Sequence, residues 1–137
     1  MARFENEESR DAFLEAPRLG ILVTNRLEGT PIGVPVWFDW SDGVVSMFAD
    51  KESTKVARLR RDPRASLLVT NDVGEPEAWV AFDGEVSIDE HAGVELASRL
   101  APRYWDLEDA ERRRALESWL QAPEAFCFVE ADSDSYP

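Results

Sequence analysis

The chain has 137 residues, and 28 acidic against 15 basic side chains give it a formal net charge of −13 at pH 7. This length predicts one domain over residues 1–137, and the negative charge argues against nucleic acid and anionic membranes as partners. One cysteine and one histidine exclude an internal disulfide and a Cys/His zinc site.

Six strands and four helices are predicted along the chain from hydrophobic periodicity and turn residues. The first three strands are expected to form a meander around two glycine-containing turns. Asp89 is a candidate cap for the third helix, and Pro102 is expected to separate that helix from the fourth. The ends, residues 1–11 and 131–137, are expected to fray. The predicted helices cover residues 6–16, 54–61, 89–101 and 108–121, and the predicted strands cover Leu19–Thr24, Ile32–Trp40, Val44–Ala49, Arg64–Asn71, Glu77–Ile88 and Ala125–Glu130.

Six short strands, with one small helix between the third and the fourth, favour an α+β fold built on a small antiparallel β-barrel, because closing the sheet removes exposed edges. The chain has no Gly-x-Gly-x-x-Gly motif and no long alternation of strands and helices, which argues against a doubly wound nucleotide-binding fold. No apolar run reaches the length of a membrane span, and the first residues lack a signal-peptide core. A cytoplasmic protein without a membrane partner is therefore expected.

Residues 51–64 carry six basic and two acidic side chains, a local charge of +4 in an acidic chain. Ser53 is placed to be the N-cap of the helix that follows, and Lys55 lies in its first turn. Lysine is unfavourable there because the helix dipole is positive at this end, whereas amides, a hydroxyl and an ammonium together would hold a bound phosphate. The alternative is a capped surface helix with solvated arginines.

Two aromatic segments are candidate walls of a binding site. The first, Val34–Trp40, contains Pro35, which cannot donate to a strand ladder and so indicates an edge, a bulge or a contact other than a strand. Its alternating side chains can build the core on one side and a ligand platform or a subunit interface on the other. The second segment is Ala78–Val86. Its Trp79 either covers a cofactor ring or simply packs against neighbouring side chains.

The sequence shows no nucleophile with an adjacent general base. His91 lies in an acidic segment that is expected to be exposed, and Cys127 lies among apolar residues, as a small buried side chain would. The acidic runs are interpreted as solvated helix faces. If the protein is an enzyme, a cofactor must therefore supply the chemistry.

Three segments of the chain resemble the flavin/deazaflavin-binding split β-barrel superfamily, which includes the pyridoxamine 5′-phosphate oxidase-like proteins. They are Gly33–Phe38, Phe48–Leu67 and Trp79–Val86. The resemblance implies a six-stranded antiparallel split β-barrel of the FMN-binding type and a homodimer with two cofactor sites at the subunit interface. It also implies that the helix start holds the cofactor phosphate and that the first of these segments lies along the tricyclic ring. The cofactor-binding residues that it indicates are Pro35, Val36, Trp37, Phe48, Ala49, Lys51, Ser53, Thr54, Lys55, Arg58 and Trp79.

The chain also departs from part of this superfamily. It lacks the C-terminal extension of true pyridoxamine-phosphate oxidases, so that specific activity is not expected, and its strands look more like those of the small actinobacterial-type reductases that use the deazaflavin coenzyme F420. The resemblance implies an oxidoreductase that moves a hydride between F420, with FMN as the alternative cofactor, and a small unsaturated or conjugated substrate. A non-catalytic storage or sensor protein that binds a flavin, a deazaflavin or haem is the second hypothesis. The anionic tail of F420 would suit the basic residues Lys51, Arg58, Arg60, Arg61 and Arg64.

Overall fold

The computed structural model describes the backbone of residues 4–132 and the side chains up to Glu130, and this part of the chain forms four helices and eight strands. The helices are α1 (Glu7–Glu15), α2 (Thr54–Arg61), α3 (Gly93–Tyr104) and α4 (Ala110–Leu120). The strands are β1 (Gly20–Asn25), β2 (Pro31–Val36), β3 (Asp39–Ser41), β4 (Val44–Asp50), β5 (Arg64–Thr70), β6 (Trp79–Glu85), β7 (Ser87–Asp89) and β8 (Phe126–Asp132).

The strands form two four-stranded antiparallel sheets, sheet A in the order β2-β1-β5-β6 and sheet B in the order β3-β4-β8-β7. The α+β class is confirmed, whereas the count of six strands is not. The predicted strand Ile32–Trp40 is divided at Trp37 because β2 pairs with β1 in sheet A and β3 pairs with β4 in sheet B. The predicted strand Glu77–Ile88 is divided at Val86 because β6 pairs with β5 and β7 with β8. The three-stranded meander is wrong, since β2 and β3 lie in different sheets.

The two sheets share one apolar core. Alternate side chains of their strands point into it, such as Leu22 and Leu67 from sheet A and Met47 from sheet B. Helix α2 adds Val56 and Leu59 to the same core, and these are the two residues that the helical period predicted to face inward. The core therefore fixes which side of α2 is left for binding.

A buried arginine joins the end of α1 to the loop between β5 and β6. The Arg18 side chain is 8% exposed, its Nε donates to the Phe13 carbonyl at 3.0 Å, and its guanidinium pairs with both carboxylate oxygens of Glu75. This pairing lowers the pKa of Glu75 to about 2. The Tyr104 hydroxyl donates to the Arg18 carbonyl at 2.7 Å, so the end of α3 is tied to the same junction.

Helix α3 packs against β4 and β8 of sheet B. Its N-cap is Ala92, which makes no side-chain hydrogen bond, so the prediction that Asp89 caps this helix is wrong. Asp89 ends β7, and its carboxylate accepts from the His91 amide at 2.8 Å. Pro102 lies inside α3 rather than between two helices. In the last turn, its missing amide removes one hydrogen bond and leaves the preceding turns intact.

Helix α4 is capped by Asp109, whose carboxylate accepts from two backbone amides, and none of its residues is fully buried.

Of the ends that were expected to fray, residues 7–11 lie in α1 and residues 131–132 continue β8. Residues 1–3 and 133–137 lie outside the described part of the chain. Among the described residues, no helix combines the length and the apolar character needed to cross a bilayer.

Candidate functional site

The start of α2 has the geometry of a capped helix, as predicted. Ser53 has extended backbone angles, and its hydroxyl accepts from the Val56 amide at 3.4 Å and donates to the Asp50 carbonyl at 2.7 Å. The first turn contains Lys55 and no acidic residue, and Thr54 is exposed beside it. Amides and an ammonium at the positive end of the helix form a donor set that fits a phosphate. The Ser53 hydroxyl could donate to a phosphate only if it gave up its hydrogen bond to the Asp50 carbonyl.

Two further predicted residues, Lys51 before the helix and Arg58 in its second turn, are each held by another side chain. The Lys51 ammonium lies 3.6 Å from the Glu124 carboxylate, just before β8. The Arg58 Nε donates at 2.9 Å to the hydroxyl of Thr24, a buried residue of β1. Both cations stay partly exposed, one on the β8 side of α2 and the other on the β1 side.

The remaining arginines of the basic stretch turn to separate partners. Arg60 pairs with Glu90 at 2.6 Å, and the Nη2 of Arg61 donates to a carbonyl at the end of β1 at 2.8 Å. Arg64 forms two bonds to Asp62, at 2.9 and 2.8 Å, and this contact holds the pKa of the Asp62 carboxyl well below its usual range. The basic side chains are therefore spread around α2 rather than aligned along one side of it.

Trp37 and Phe48 lie in a cluster of six aromatic side chains that joins sheet B to α3 and α4. Trp37 stacks on Tyr104, with 4.9 Å between ring centroids and 3° between ring planes. Phe48 lies 5.8 Å from Trp37 and 5.7 Å from Trp119, the residue through which α4 reaches the cluster. Every ring stays partly exposed, so the cluster is a surface patch and not part of the core. Its members are Trp37, Phe48, Tyr104, Trp105, Trp119 and Phe126.

The other predicted residues lie on opposite faces of the sheets. Val36 and Ala49 are 8% and 6% exposed and belong to the core, so only their backbone can contact a ligand. Pro35 is exposed on β2, and Trp79 is half-buried at the start of β6, both on the outer face of sheet A. The predicted site residues therefore occupy four places within one chain: the α2 start, the aromatic cluster, the core and the outer face of sheet A.

The outer face of sheet A carries an apolar row that crosses all four strands. The register places Pro35, Ile21, Leu68 and Ala81 side by side. These side chains point away from the core because the residues that alternate with them are buried. Leu68 is 38% exposed. An apolar row on the solvent side of a sheet is typical of an interaction surface.

Within the described part of the chain, no three His, Cys, Asp or Glu side chains are grouped to hold a metal ion. Cys127 is buried as predicted, and its burial raises the pKa of the thiol, which makes it a poor nucleophile. His91 is exposed, with its Nδ1 3.2 Å from the Glu124 carboxylate. Contact with His91, and then with Lys51, lowers the pKa of Glu124.

Sequence reasoning missed the residues that hold the predicted ones in place. Thr24, Tyr104 and Glu124 are not among the predicted site residues, yet they contact Arg58, Trp37 and Lys51 respectively. Each partner lies far along the chain from the residue it contacts, so local patterns could not join them. The one available indication was Thr24, a polar residue at an inward position of an apolar strand.

The chain matches one protein family in sequence and several solved structures in fold. A sequence model of the family described as pyridoxamine 5′-phosphate oxidase matches residues 7–129. No curated protein matches the chain. Among solved structures, an F420 reductase has a TM-score of 0.73 at 19% identity, covering 99% of this chain and 98% of that one. A putative pyridoxamine 5′-phosphate oxidase from Listeria innocua has a TM-score of 0.67 at 17% identity over 96% and 95% of the two chains. An FAD-binding protein from Mesorhizobium loti has a TM-score of 0.63 at 22% identity over 98% and 92%. At these identities the likeness shows the fold.

Proposed function

The chain belongs to the pyridoxamine 5′-phosphate oxidase family, and from this premise we propose that it is an oxidoreductase that uses coenzyme F420, with FMN as the alternative cofactor. Structures similar in fold include an F420 reductase and an FAD-binding protein, which supports this class of cofactor. When bound, the cofactor supplies the hydride chemistry, and the substrate class that we propose is a small unsaturated or conjugated molecule. The protein contributes binding, orientation and electrostatics.

The observation that carries this proposal is the α2 start. The helix dipole disfavours Lys55 in a first turn that has no acidic residue, and an anion bound there would offset this cost. The first-turn amides, the Thr54 hydroxyl and the Lys55 ammonium would hold the cofactor phosphate. Lys51 precedes the helix, Arg58 lies one turn further along it, and both would add positive charge.

Titration of the protein with F420 and with FMN, followed by absorbance and fluorescence, tests the proposal. Lys55→Ala should weaken cofactor binding by about 1.5–3 kcal/mol, or about 10- to 150-fold, because it removes a charge-assisted hydrogen bond. Ser53→Ala should cost about 1 kcal/mol, part of it as helix stability. Arg113→Ala is the matched control, since it removes a positive charge from an exposed position on α4. Equal affinities of wild type and Lys55→Ala, or binding of neither cofactor below millimolar concentration, would refute the proposal.

We further propose that F420 binds more tightly than FMN. The F420 tail adds carboxylates, which an acidic protein repels unless basic side chains lie along their path. Arg58 and Arg61 support the proposal, because they lie one turn apart on α2 and both turn toward β1. The double variant Arg58→Gln/Arg61→Gln should therefore reduce the advantage of F420 over FMN. Tighter binding of FMN, or an advantage that the double variant leaves unchanged, would contradict this preference.

The second candidate function is non-catalytic binding of a flavin, a deazaflavin or haem. It is favoured by the lack of an activated nucleophile or a paired general base among the described site residues, where Cys127 is buried and His91 is exposed. Stopped-flow mixing of the reduced cofactor complex with a panel of conjugated acceptors separates the two functions. Reoxidation that depends on the acceptor supports the oxidoreductase, whereas a complex that binds the cofactor but reduces no acceptor in the panel supports storage or sensing.

We also propose that the chain forms a homodimer through the outer face of sheet A. The apolar row supports this, and Trp79 lies on the same face. Trp40, the last residue of the aromatic segment Val34–Trp40, is 5% exposed and stacks on Phe82 in the core of its own chain, so it cannot contribute. Sedimentation at micromolar concentration should give the mass of two chains. Leu68→Asp should shift the protein toward monomer, whereas Leu120→Asp, at an exposed position on α4, should not.

A further inference from the structure

A cleft lined by arginines lies at the opposite end of α2 from Lys55. It has a volume of about 640 Å³ and lies between the β1–β2 hairpin and the junction of α2 with β5. Its charged lining consists of three arginines and one aspartate, a formal charge of +2 in a chain of net charge −13. The lining side chains that matter here are Asn25, Arg26, Arg61, Asp62 and Arg64.

The three arginines are not equally engaged. The charge of Arg64 is balanced by Asp62, because Nε and Nη2 of Arg64 donate to both carboxylate oxygens of Asp62. Arg61 donates one Nη2 bond to the Asn25 carbonyl at 2.8 Å. Arg26 makes a 3.5 Å contact with the Pro31 carbonyl, which is too long for a strong hydrogen bond. Since a guanidinium has five N–H donors, Arg26 and Arg61 keep most of theirs for a ligand.

The helix dipole explains only part of this arrangement. Arginine in the last turn of a helix is stabilised by the negative end of the dipole, and this accounts for Arg61. It does not account for Arg26, which belongs to the hairpin on the other side of the cleft. Glu28 in the same hairpin is fully exposed and accepts from the Thr30 hydroxyl at 2.8 Å. That bond is the main cause of its lowered pKa, and Arg26 and Arg61 contribute less. Glu28 lies near enough to both arginines to be attracted to them, so a bound anion would compete with this exposed carboxylate.

We propose that this arginine cleft binds the carboxylate or phosphate group of a small molecule between Arg26 and Arg61, at a site separate from the α2 start. Two guanidinium groups from different elements, with most of their N–H donors unused, can each donate paired hydrogen bonds to the oxygens of a planar carboxylate or a tetrahedral phosphate. Asn25 and Arg64 also line a second cleft of about 470 Å³ on sheet A, whose other charged residues are Asp83 and Glu85. These carboxylates disfavour an anion there, so the anionic group is assigned to the arginine cleft alone. Arg61 is also on the proposed path of the F420 tail, so the test below uses the cofactor-free protein and varies Arg26, which the cofactor proposal does not use.

Residue-resolved titration of the cofactor-free protein distinguishes this site from the α2 start. Amide shifts in ¹⁵N NMR are followed during addition of inorganic phosphate, and separately of glutarate, with ionic strength held constant by chloride. Shifts are expected at residues 25–29 and 61–64. In Arg26→Gln the affinity at this cleft should fall about tenfold or more, as expected when a charge-assisted bond is lost. The tighter of the two probes identifies the anion class.

Paired variants make the result decisive. Lys55→Ala should weaken phosphate binding reported by residues 53–56 and leave binding at the arginine cleft unchanged, whereas Arg26→Gln should weaken binding at the cleft and leave that at residues 53–56 unchanged. Arg113→Gln, an exposed arginine of α4, is the charge-matched control and should change neither. If Arg26→Gln perturbs the hairpin, Arg26→Lys keeps the charge and should retain weaker binding. Shifts confined to residues 53–56, or an affinity at the cleft that Arg26→Gln leaves unchanged, would overturn the proposal.

Discussion

Replacement of Gly93 by alanine tests how closely α3 is seated on sheet B. A Cβ built at Gly93 lies 2.6 Å from the Cys127 carbonyl oxygen and 2.6 Å from the Phe126 carbonyl carbon, both backbone atoms of β8. At these two residues β8 is paired with β4, and its next three residues are paired with β7 as well, so its backbone cannot move without disturbing the β4 ladder. Alanine gains at most about 1 kcal/mol over glycine from helix propensity and the unfolded chain. Overpacking against a fixed backbone costs about 1–3 kcal/mol.

The steric cost should therefore exceed the gain, and Gly93→Ala should lower the free energy of unfolding by about 1–2 kcal/mol in urea titration. Gly33→Ala is the comparison variant, because its Cβ would lie 2.9 Å from Cγ2 of Ile21, a methyl group of a half-buried side chain rather than a backbone atom of a paired strand. Its loss of stability should therefore be smaller than that of Gly93→Ala. Since α3 carries Tyr104 beneath Trp37, displacement of the helix should also alter the tryptophan fluorescence. A Gly93→Ala protein as stable as wild type would show that α3 is not held at this distance.

Three other predictions concern contacts outside the α2 start. Thr24→Val removes the buried hydroxyl that accepts from Arg58, and it should lower the free energy of unfolding by about 0.5–1.5 kcal/mol in chemical denaturation. An unchanged free energy of unfolding would show that this bond does not contribute to stability. Trp119→Ala removes the anchor of α4 and should lower the free energy of local opening of α4 by about 1–2 kcal/mol, seen as hydrogen exchange that is accelerated in α4 and unchanged in the sheets. The pKa of Glu75 is lowered from 4.5 to about 2, so its contribution to stability is complete above pH 4.5 and is lost as the pH falls toward 2. Glu75→Gln should flatten the pH dependence of stability over that range, and an unchanged slope would contradict the role of its pairing with Arg18.

The sequence predicted best the features that neighbouring residues determine. The N-cap at Ser53 and the inward faces of Val56 and Leu59 follow from local hydrogen bonding and the helical period, and the structure confirms all three. The divided strands could not be predicted in this way. A continuous apolar run through Trp37 is compatible with one long strand, and only the choice of β1 and β4 as separate partners breaks it. Likewise, Trp37 was a candidate ligand platform by composition, but its stacking partner Tyr104 is brought to it by the packing of α3.

The six basic side chains of residues 51–64 are adjacent in sequence, but they do not form one continuous binding surface. Helix α2 has eight residues and is therefore about 12 Å long, enough to separate two anionic groups. Its N-terminal end offers amides and Lys55, whereas its C-terminal end offers Arg61, which faces Arg26 across the arginine cleft. Arg60 is paired with Glu90 and contributes to neither end. The positive charge of residues 51–64 is thus divided between two places with different geometries. A phosphate at one end needs helix amides, and a carboxylate at the other needs guanidinium groups, so Lys55→Ala and Arg26→Gln should alter anion binding at different places on the protein.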